Sequence, residues 1–252
     1  MVTKKYVFIN IVFFFFSMFL IATTVYGDQS LIGHWQFDEG DGTIASDAST
    51  LGNNGFIYYP EWIEGYVNNG LAFNGENSYV EVPYNEAYNA QVFTAAMWLK
   101  SENGSRTCAY LRRSGGWHIR TSNGQWDIAL EGSGVIQSGY YFPDQEWHHY
   151  AVTVDNINKT VTFFVDGKQF GNVHSYSREI SASTGNFYIG QYSGNYRWKG
   201  GIDDVRLYNE AKSEQEIREI FLKDSDLIGY WPLDEISEGF TTDISGLCCD
   251  CR

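Results

Sequence analysis

Basic residues are scarce in this chain: 17 Lys and Arg stand against 31 Asp and Glu over 252 residues, a formal net charge of −14. That balance argues against a nucleic-acid partner, whose phosphates call for Lys and Arg. Cysteine is nearly absent as well. Cys108 stands alone in the body of the chain, while Cys248, Cys249 and Cys251 crowd its end. This spacing is not a disulfide framework, and a zinc site on Cys-Cys-x-Cys would need a fourth ligand and a turn that the sequence does not supply. A bridge from Cys108 to the tail stays open at this level. Proline is limited to four residues, and 43% of the chain is apolar, enough to bury a core and too much for a disordered or fibrous protein. Aromatics are abundant, with 17 Phe, 18 Tyr and 8 Trp, all strand-favouring. Composition therefore predicts an acidic, all-β protein.

Residues 1–27 read as an address. Lys4 and Lys5 precede an apolar run from Tyr6 to Ala22, which ends at Val25-Tyr26-Gly27 before the polar Asp28-Gln29-Ser30. This is the charged, apolar and small-residue pattern of a cleaved signal peptide. The alternative is an uncleaved anchor, since Tyr6–Val25 is just long enough to span a bilayer. Cleavage would leave a secreted or cell-surface chain with 15 basic and 31 acidic residues, and with no membrane insertion.

An internal repeat follows. Leu31-Ile32-Gly33-His34-Trp35-Gln36-Phe37-Asp38-Glu39 recurs as Leu227-Ile228-Gly229-Tyr230-Trp231-Pro232-Leu233-Asp234-Glu235, an offset of 196 residues that holds without a gap to Asp47/Asp243 and Ser49/Ser245. One unit thus fills 28–226, and 227–252 reads as the truncated start of a second copy. Within the unit the apolar pattern has period two. Phe93, Ala95, Met97 and Leu99 fall on one strand face, and Thr94, Ala96, Trp98 and Lys100 on the other. Strands 147–155 and 160–167 flank Asn156-Ile157-Asn158-Lys159 as a hairpin. Further strands are expected at 77–83, 107–113, 117–122, 125–131, 186–192 and 201–208. Ser213 and Glu216 form a capping box for one short helix near 213–221, with Ile217, Ile220 and Phe221 at helical spacing. Short, frequent strands separated by Gly, Asn and Asp predict a β-sandwich.

Six segments then carry a resemblance, in order: Gly33–Glu39, Leu71–Pro83, Phe93–Lys100, Trp147–Asp155, Phe163–Gly167 and Gly200–Asn209. Together they resemble the laminin-G-like family of the concanavalin A-like jelly-roll superfamily over about residues 31–221. One departure is Asp47-Ala48-Ser49-Thr50-Leu51-Gly52-Asn53-Asn54-Gly55, a looser version of the family's first turn. The resemblance implies an all-β, two-sheet antiparallel jelly-roll sandwich, first and last strands adjacent, and a concave face that often binds glycans. It also implies one structural calcium ion (Ca2+). The matching positions are Asp38, the turn 74–78 with Gly75 and Ser78, and Asp203 or Asp204, a set of the hard oxygens calcium takes. The bland reading is that these carboxylates accept backbone N–H bonds in turns.

For a sugar site, aromatic faces beside hydrogen-bonding groups are required. Trp98 shares its face with Thr94 and Lys100; His118 and Arg120 alternate with Trp117 and Ile119 and are expected to point outward. Tyr192, Tyr196 and Trp198 crowd a loop before the last strand, where function often lies. Each could equally be structural. Catalysis is not expected, because no pair of carboxylates shows glycosidase spacing, and Glu214, Glu216 and Glu219 sit on the helix. His148 and His149 are adjacent on a strand and point to opposite faces, so they cannot share a metal. Asn103-Gly104-Ser105 and Asn158-Lys159-Thr160 are glycosylation acceptors if a eukaryotic host exports the chain. The expected function is non-catalytic binding of a poly- or oligosaccharide. The rival readings are an adhesion or spacer module for a cell-surface or extracellular protein, and a glycan-degrading enzyme.

Overall fold

The computed structural model describes residues 28–102, 107–192 and 196–225. The leader, the 227–252 repeat with its three cysteines, and the Asn103 acceptor lie outside these residues. Among the described residues sixteen strands, numbered in chain order, form two antiparallel sheets. The first runs β14 (Lys168–Ser175), β13 (Thr160–Val165), β12 (Trp147–Asp155), β7 (Val92–Ser101), β16 (Lys199–Tyr208), β5 (Asn69–Asn74) and β4 (Glu61–Glu64). The strand β1 (Leu31–Trp35) shares the far edge of β16 with β5, pairing Leu31 with Tyr208 and Trp35 with Val205. First and last strands are thus neighbours, as the resemblance implies. The second sheet runs β11 (Gly134–Tyr141), β10 (Gln125–Leu130), β9 (Trp117–Ser122), β8 (Cys108–Arg113), β15 (Phe187–Ile189), β6 (Tyr79–Val82), β3 (Gly55–Tyr58) and β2 (Ile44–Ala45). One helix, α1 (Glu214–Asp224), follows the last strand.

The period-two pattern decides which face is core. Phe93, Ala95, Met97 and Leu99 join the inner cluster between the sheets, with Trp35, Trp117, Trp126, Phe163 and Trp198. Gly33 is required here: a Cβ on it would sit 2.5 Å from the Trp35 ring, so the Leu-Ile-Gly-x-Trp signature keeps the tryptophan folded back on its own strand.

The outer face of the first sheet is also dry. Ala96, Ala151 and Phe164 pack against Ile217 of α1, with Ile220 beside them. The helix is built as the sequence predicts: Ser213 Oγ accepts from the Glu216 amide, and the Glu216 carboxylate accepts from the Ser213 amide at 2.7 Å. The hairpin loop 156–159 is closed by Asp155, whose carboxylate accepts the amides of Ile157 and Asn158. Among the described residues no helix is long and apolar enough to cross a membrane.

Candidate functional site

Because α1 covers the first sheet, the outer face of the second sheet is the exposed one. On β9, Trp117 and Ile119 enter the core while His118 and Arg120 take the other face, as alternation predicts. Arg120 faces Asp127 across the β9–β10 ladder, and its Nε lies 2.8 Å from Asp127 Oδ1. Asp127 has no exposed surface, so this pair fixes the guanidinium by its inner nitrogen. A cavity of about 260 Å³ opens beside it, lined by Thr107, Cys108, Ala109, Arg120, Tyr192 and Tyr196. Cys108 is buried, with Sγ 3.1 Å from Thr121 Oγ1.

Around this cavity the groups are held rather than loose. Arg112 donates to the Tyr192 carbonyl at 2.6 Å and to Ser114 Oγ at 3.1 Å, and its guanidinium lies 5.0 Å from the Tyr192 ring centre. The His118 ring meets the Tyr192 ring edge-on at 4.4 Å. Burial pushes the His118 imidazole down to about 4, with Arg112 and Arg120 adding to the effect. His118 Nε2 is 3.5 Å from Glu131 Oε1, but a ring that deprotonates this low is neutral near pH 7 and makes no ion pair there. Burial also raises the Asp127 carboxyl, against the opposing pull of Arg120. The site therefore offers a fixed guanidinium and two tyrosine rings, while the His118 ring, 4% exposed, packs against Tyr192 and does not line the cavity. That set suits hydroxyls and ring faces.

Two of the six candidate ligand residues are elsewhere. Trp98 is 1% exposed: it stacks on Tyr66 and Phe221, and its Nε1 donates to Asp224 of α1 at 3.1 Å. Its face is the outward one, but the helix lies over it. Trp198 has no exposed surface; its indole donates to the Gly201 carbonyl and its ring packs on Tyr110 and Phe142. The polar loop around Trp198 made it look like a rim residue, although it begins the inward alternation of the last strand. His118, Arg120, Tyr192 and Tyr196 come together. Arg112 and Asp127 complete the set; the alternation of β10 carried the signal for Asp127, whereas a bulge between Ala109 and Leu111, within the core-forming Cys108, Tyr110 and Leu111, turns Arg112 outward.

The five positions matched to calcium are not all brought to one place. Asp38 accepts from Asn68 Nδ2 and the Asn69 amide, at the start of β5. Gly75 and Ser78 lie beyond its other end, roughly 17 Å away at strand rise, where Ser78 is bonded to Asn74. Asp204 meets His34 at 2.5 Å and Arg206 at 2.5 Å, so both its oxygens face side-chain donors. Asp203 Oδ2 accepts the amides of Tyr66 and Val67 at 2.8 and 2.9 Å. Among the described residues, no three His, Cys, Asp or Glu side chains converge as metal ligands would. His148 is bonded to Asp166 and Asp144, and His149 is buried against Trp98 and Phe221.

Asp203 has a measurable consequence of its own. Burial pushes its carboxyl up to about 8, the charge of Asp204 adding to this while the Val67 and Tyr66 amides oppose it. A raised carboxyl means the folded state holds a proton that the unfolded chain releases, so stability falls as pH rises until the folded group has also ionised. Above about pH 7 the buried His118 and His149 are neutral in the fold and mostly neutral in the unfolded chain, so they oppose this slope only weakly. Urea unfolding between about pH 7 and about pH 8.5 should therefore show a decline of up to about 1.4 kcal/mol per pH unit in the parent. Asp203→Asn should flatten that decline in calcium and in chelator alike. A slope that survives the substitution would reject the assignment.

The comparisons with known proteins accord with this architecture. A laminin G family model, described as the concanavalin A-like lectin/glucanases superfamily, matches residues 74–218. Usherin from Rattus norvegicus is 30% identical over 156 residues, 54% of this chain and 3% of that protein, so the chain spans a small fraction of that relative. Domain 4 of AbnA, a GH43 extracellular arabinanase from Geobacillus stearothermophilus solved with arabinotriose, has a TM-score of 0.63 at 18% identity, covering 76% of this chain and 98% of that one. The binding domain of botulinum neurotoxin DC, solved with rat synaptotagmin II, has a TM-score of 0.62 at 16% identity, covering 79% and 53%. At such identities the two structures speak to fold alone. With the family model spanning more than half its length, the chain belongs to the laminin G group of the concanavalin A-like lectin/glucanase superfamily.

Proposed function

We propose that this protein is an exported, non-catalytic module that binds carbohydrate on the outer face of its second sheet. The observation that carries the reading is the cavity where Asp127-anchored Arg120 meets Tyr192 and Tyr196. Sugars present apolar C–H faces beside hydroxyls, and a tyrosine ring next to a fixed fork of N–H donors answers both. The leader-like residues 1–27 support export, as do the AbnA domain, part of an extracellular enzyme, and the likeness to usherin. Binding is further supported by the arabinotriose in the AbnA domain and the synaptotagmin bound by the toxin domain. The carboxylates on this face favour binding over hydrolysis. Asp127 is tied to Arg120, Glu81 accepts from Asn186 and Tyr188, and neither these nor Glu131 beside His118 line the cavity, so no pair of acids faces across it.

Retention of the folded chain on immobilised plant, algal and animal polysaccharides tests this. Selective retention is expected. Tyr192→Ala should weaken it roughly tenfold, the scale of a lost stacking platform, with the thermal midpoint nearly unchanged. Arg120→Gln, which can still donate to Asp127, should weaken it as well. No retention on any polysaccharide from a demonstrably folded sample would move the reading to protein adhesion, for which Tyr59 and Tyr141 are the most exposed aromatics among the described residues.

A further inference from the structure

The cavity is one end of a longer feature, built by the ladder register of the second sheet. Tyr58 on β3 sits opposite Tyr79 on β6, and the two rings stack at 4.6 Å. The Arg197 guanidinium lies 5.5 Å from the Tyr79 ring centre, and Arg197 is bridged to Ala109, itself opposite Arg120. A second row runs parallel to the first. Glu81 on β6 faces Tyr188 on β15, Tyr188 faces Arg112 on β8, and Arg112 faces His118 on β9. The inner neighbours Val80, Val82, Ile189 and Leu111 all belong to the core, which places both rows on the outer face.

From β3 to β9 the rows cross five strands, roughly 19 Å at the spacing of paired strands. That is the length of several pyranose rings, whereas the cavity alone has room for little more than one. Tyr58 is 36% exposed and Phe56 47%, so the β3 end is open to solvent. Charge sets the track apart only relatively. Arg112, Arg120 and Arg197, three of the nine arginines, lie along it and balance Glu81, Glu131 and Asp127 there, on a chain that carries −14 as a whole.

We propose that the Tyr58–Tyr79 pair is a second subsite, joined to the cavity by Arg197 and Arg112, and that the whole track takes an internal stretch of a linear, acidic polysaccharide. The proposal rests on the carbohydrate reading above and adds length and charge to it. The exposed Tyr58 ring, held by its stack on Tyr79, offers a platform for one sugar unit, and the arginines between it and the cavity meet carboxylate or sulfate groups, for which a guanidinium fork is suited. A site for a chain end or a single sugar would not need the β3 platform.

The test is calorimetric titration of the full chain with three size series, from dimer to hexamer: oligogalacturonates as the carboxylated probe, carrageenan oligosaccharides as the sulfated one, and neutral oligoglucans. For one of the acidic series the affinity should rise roughly tenfold or more from dimer to hexamer and fall with added salt. Tyr58→Ala should abolish the gain with length and leave dimer affinity unchanged, whereas Tyr192→Ala should weaken dimer and hexamer alike. Which acidic series binds identifies the charged group. Affinity that does not grow with length, or a Tyr58→Ala variant that keeps the full gain, would overturn the second subsite while leaving the cavity reading intact. Neutral chains binding as well as acidic ones would overturn the charge assignment. Absence of binding to every series, or dimer binding untouched by Tyr192→Ala, would remove the carbohydrate reading at this cavity and the track with it.

Discussion

Arg206→Ala is expected to cost the fold about 3–5 kcal/mol, because it strips the cation from a buried charge cluster. Arg206 lies on the last strand and is 9% exposed. Its two terminal nitrogens each lie 2.7 Å from one oxygen of Asp224, at the end of α1, and Nη2 is also 2.5 Å from Asp204. Asp204 in turn meets His34 of the first strand at 2.5 Å. One guanidinium thus ties together the first strand, the last strand and the helix, and Asp204 adopts a left-handed backbone (φ 48°) at the bulge between Asp203 and Arg206. Burial alone would raise the Asp224 carboxyl; the bonds and charge of Arg206 more than offset this and hold it below its ordinary range. Without Arg206 two carboxylates remain in a dry site. Arg206→Lys should recover little, since a single ammonium cannot make the forked contact with Asp224. Urea unfolding of the two variants measures this. A loss below about 1 kcal/mol for Arg206→Ala would place the cluster among weak surface pairs instead.

That cluster marks the limit of what the residues disclose on their own. The alternation of 93–100, 117–122, 125–130 and 147–165 was legible because one side of each strand is continuously apolar. The helix was legible because Ser213 and Glu216 satisfy each other locally. Strands β4, β11 and β14 were not, since Glu61–Glu64, Gly134–Tyr141 and Lys168–Ser175 are mostly exposed and present no uniform apolar side. Each is held as one arm of a hairpin with its neighbour in sequence, β4 with β5, β11 with β10 and β14 with β13, so the signal lay in turns such as Asp166-Gly167 and not in an apolar alternation. The site divides the same way. Outward-facing His118 and Arg120 follow from period two, but whether an outward side chain meets water depends on what crosses above it. Over β9 there is a cavity; over β7 there is α1. Asp38, Asp203 and Asp204 illustrate the same limit for oxygen donors. A carboxylate at a turn accepts whatever donors the fold brings, and here these are amides, an imidazole and a guanidinium.

Trp98→Ala supplies the sharpest separation of fold from function, because the same residue was a candidate for sugar contact. Its ring is stacked between Tyr66 and Phe221, meets His149 edge-on at 5.3 Å, and donates to the Asp224 carboxylate that Arg206 holds. Truncation leaves a cavity under α1 and removes one donor from a buried carboxylate, so a loss of about 3–5 kcal/mol is expected in urea unfolding. Since Trp98 and Arg206 share Asp224, their losses should not add: the double variant should depart from the sum by roughly 0.5–3 kcal/mol. Trp98→Phe should fall between, retaining ring contact and losing the indole donor. The folded fraction of Trp98→Ala should bind polysaccharide as the parent does, because the Arg120 cavity lies on the opposite outer face of the sandwich. If Trp98→Ala instead weakened binding as much as Tyr192→Ala while its unfolding midpoint stayed at the parent's value, the ligand would sit on the α1 side. The division of labour between the two sheets would then be reversed.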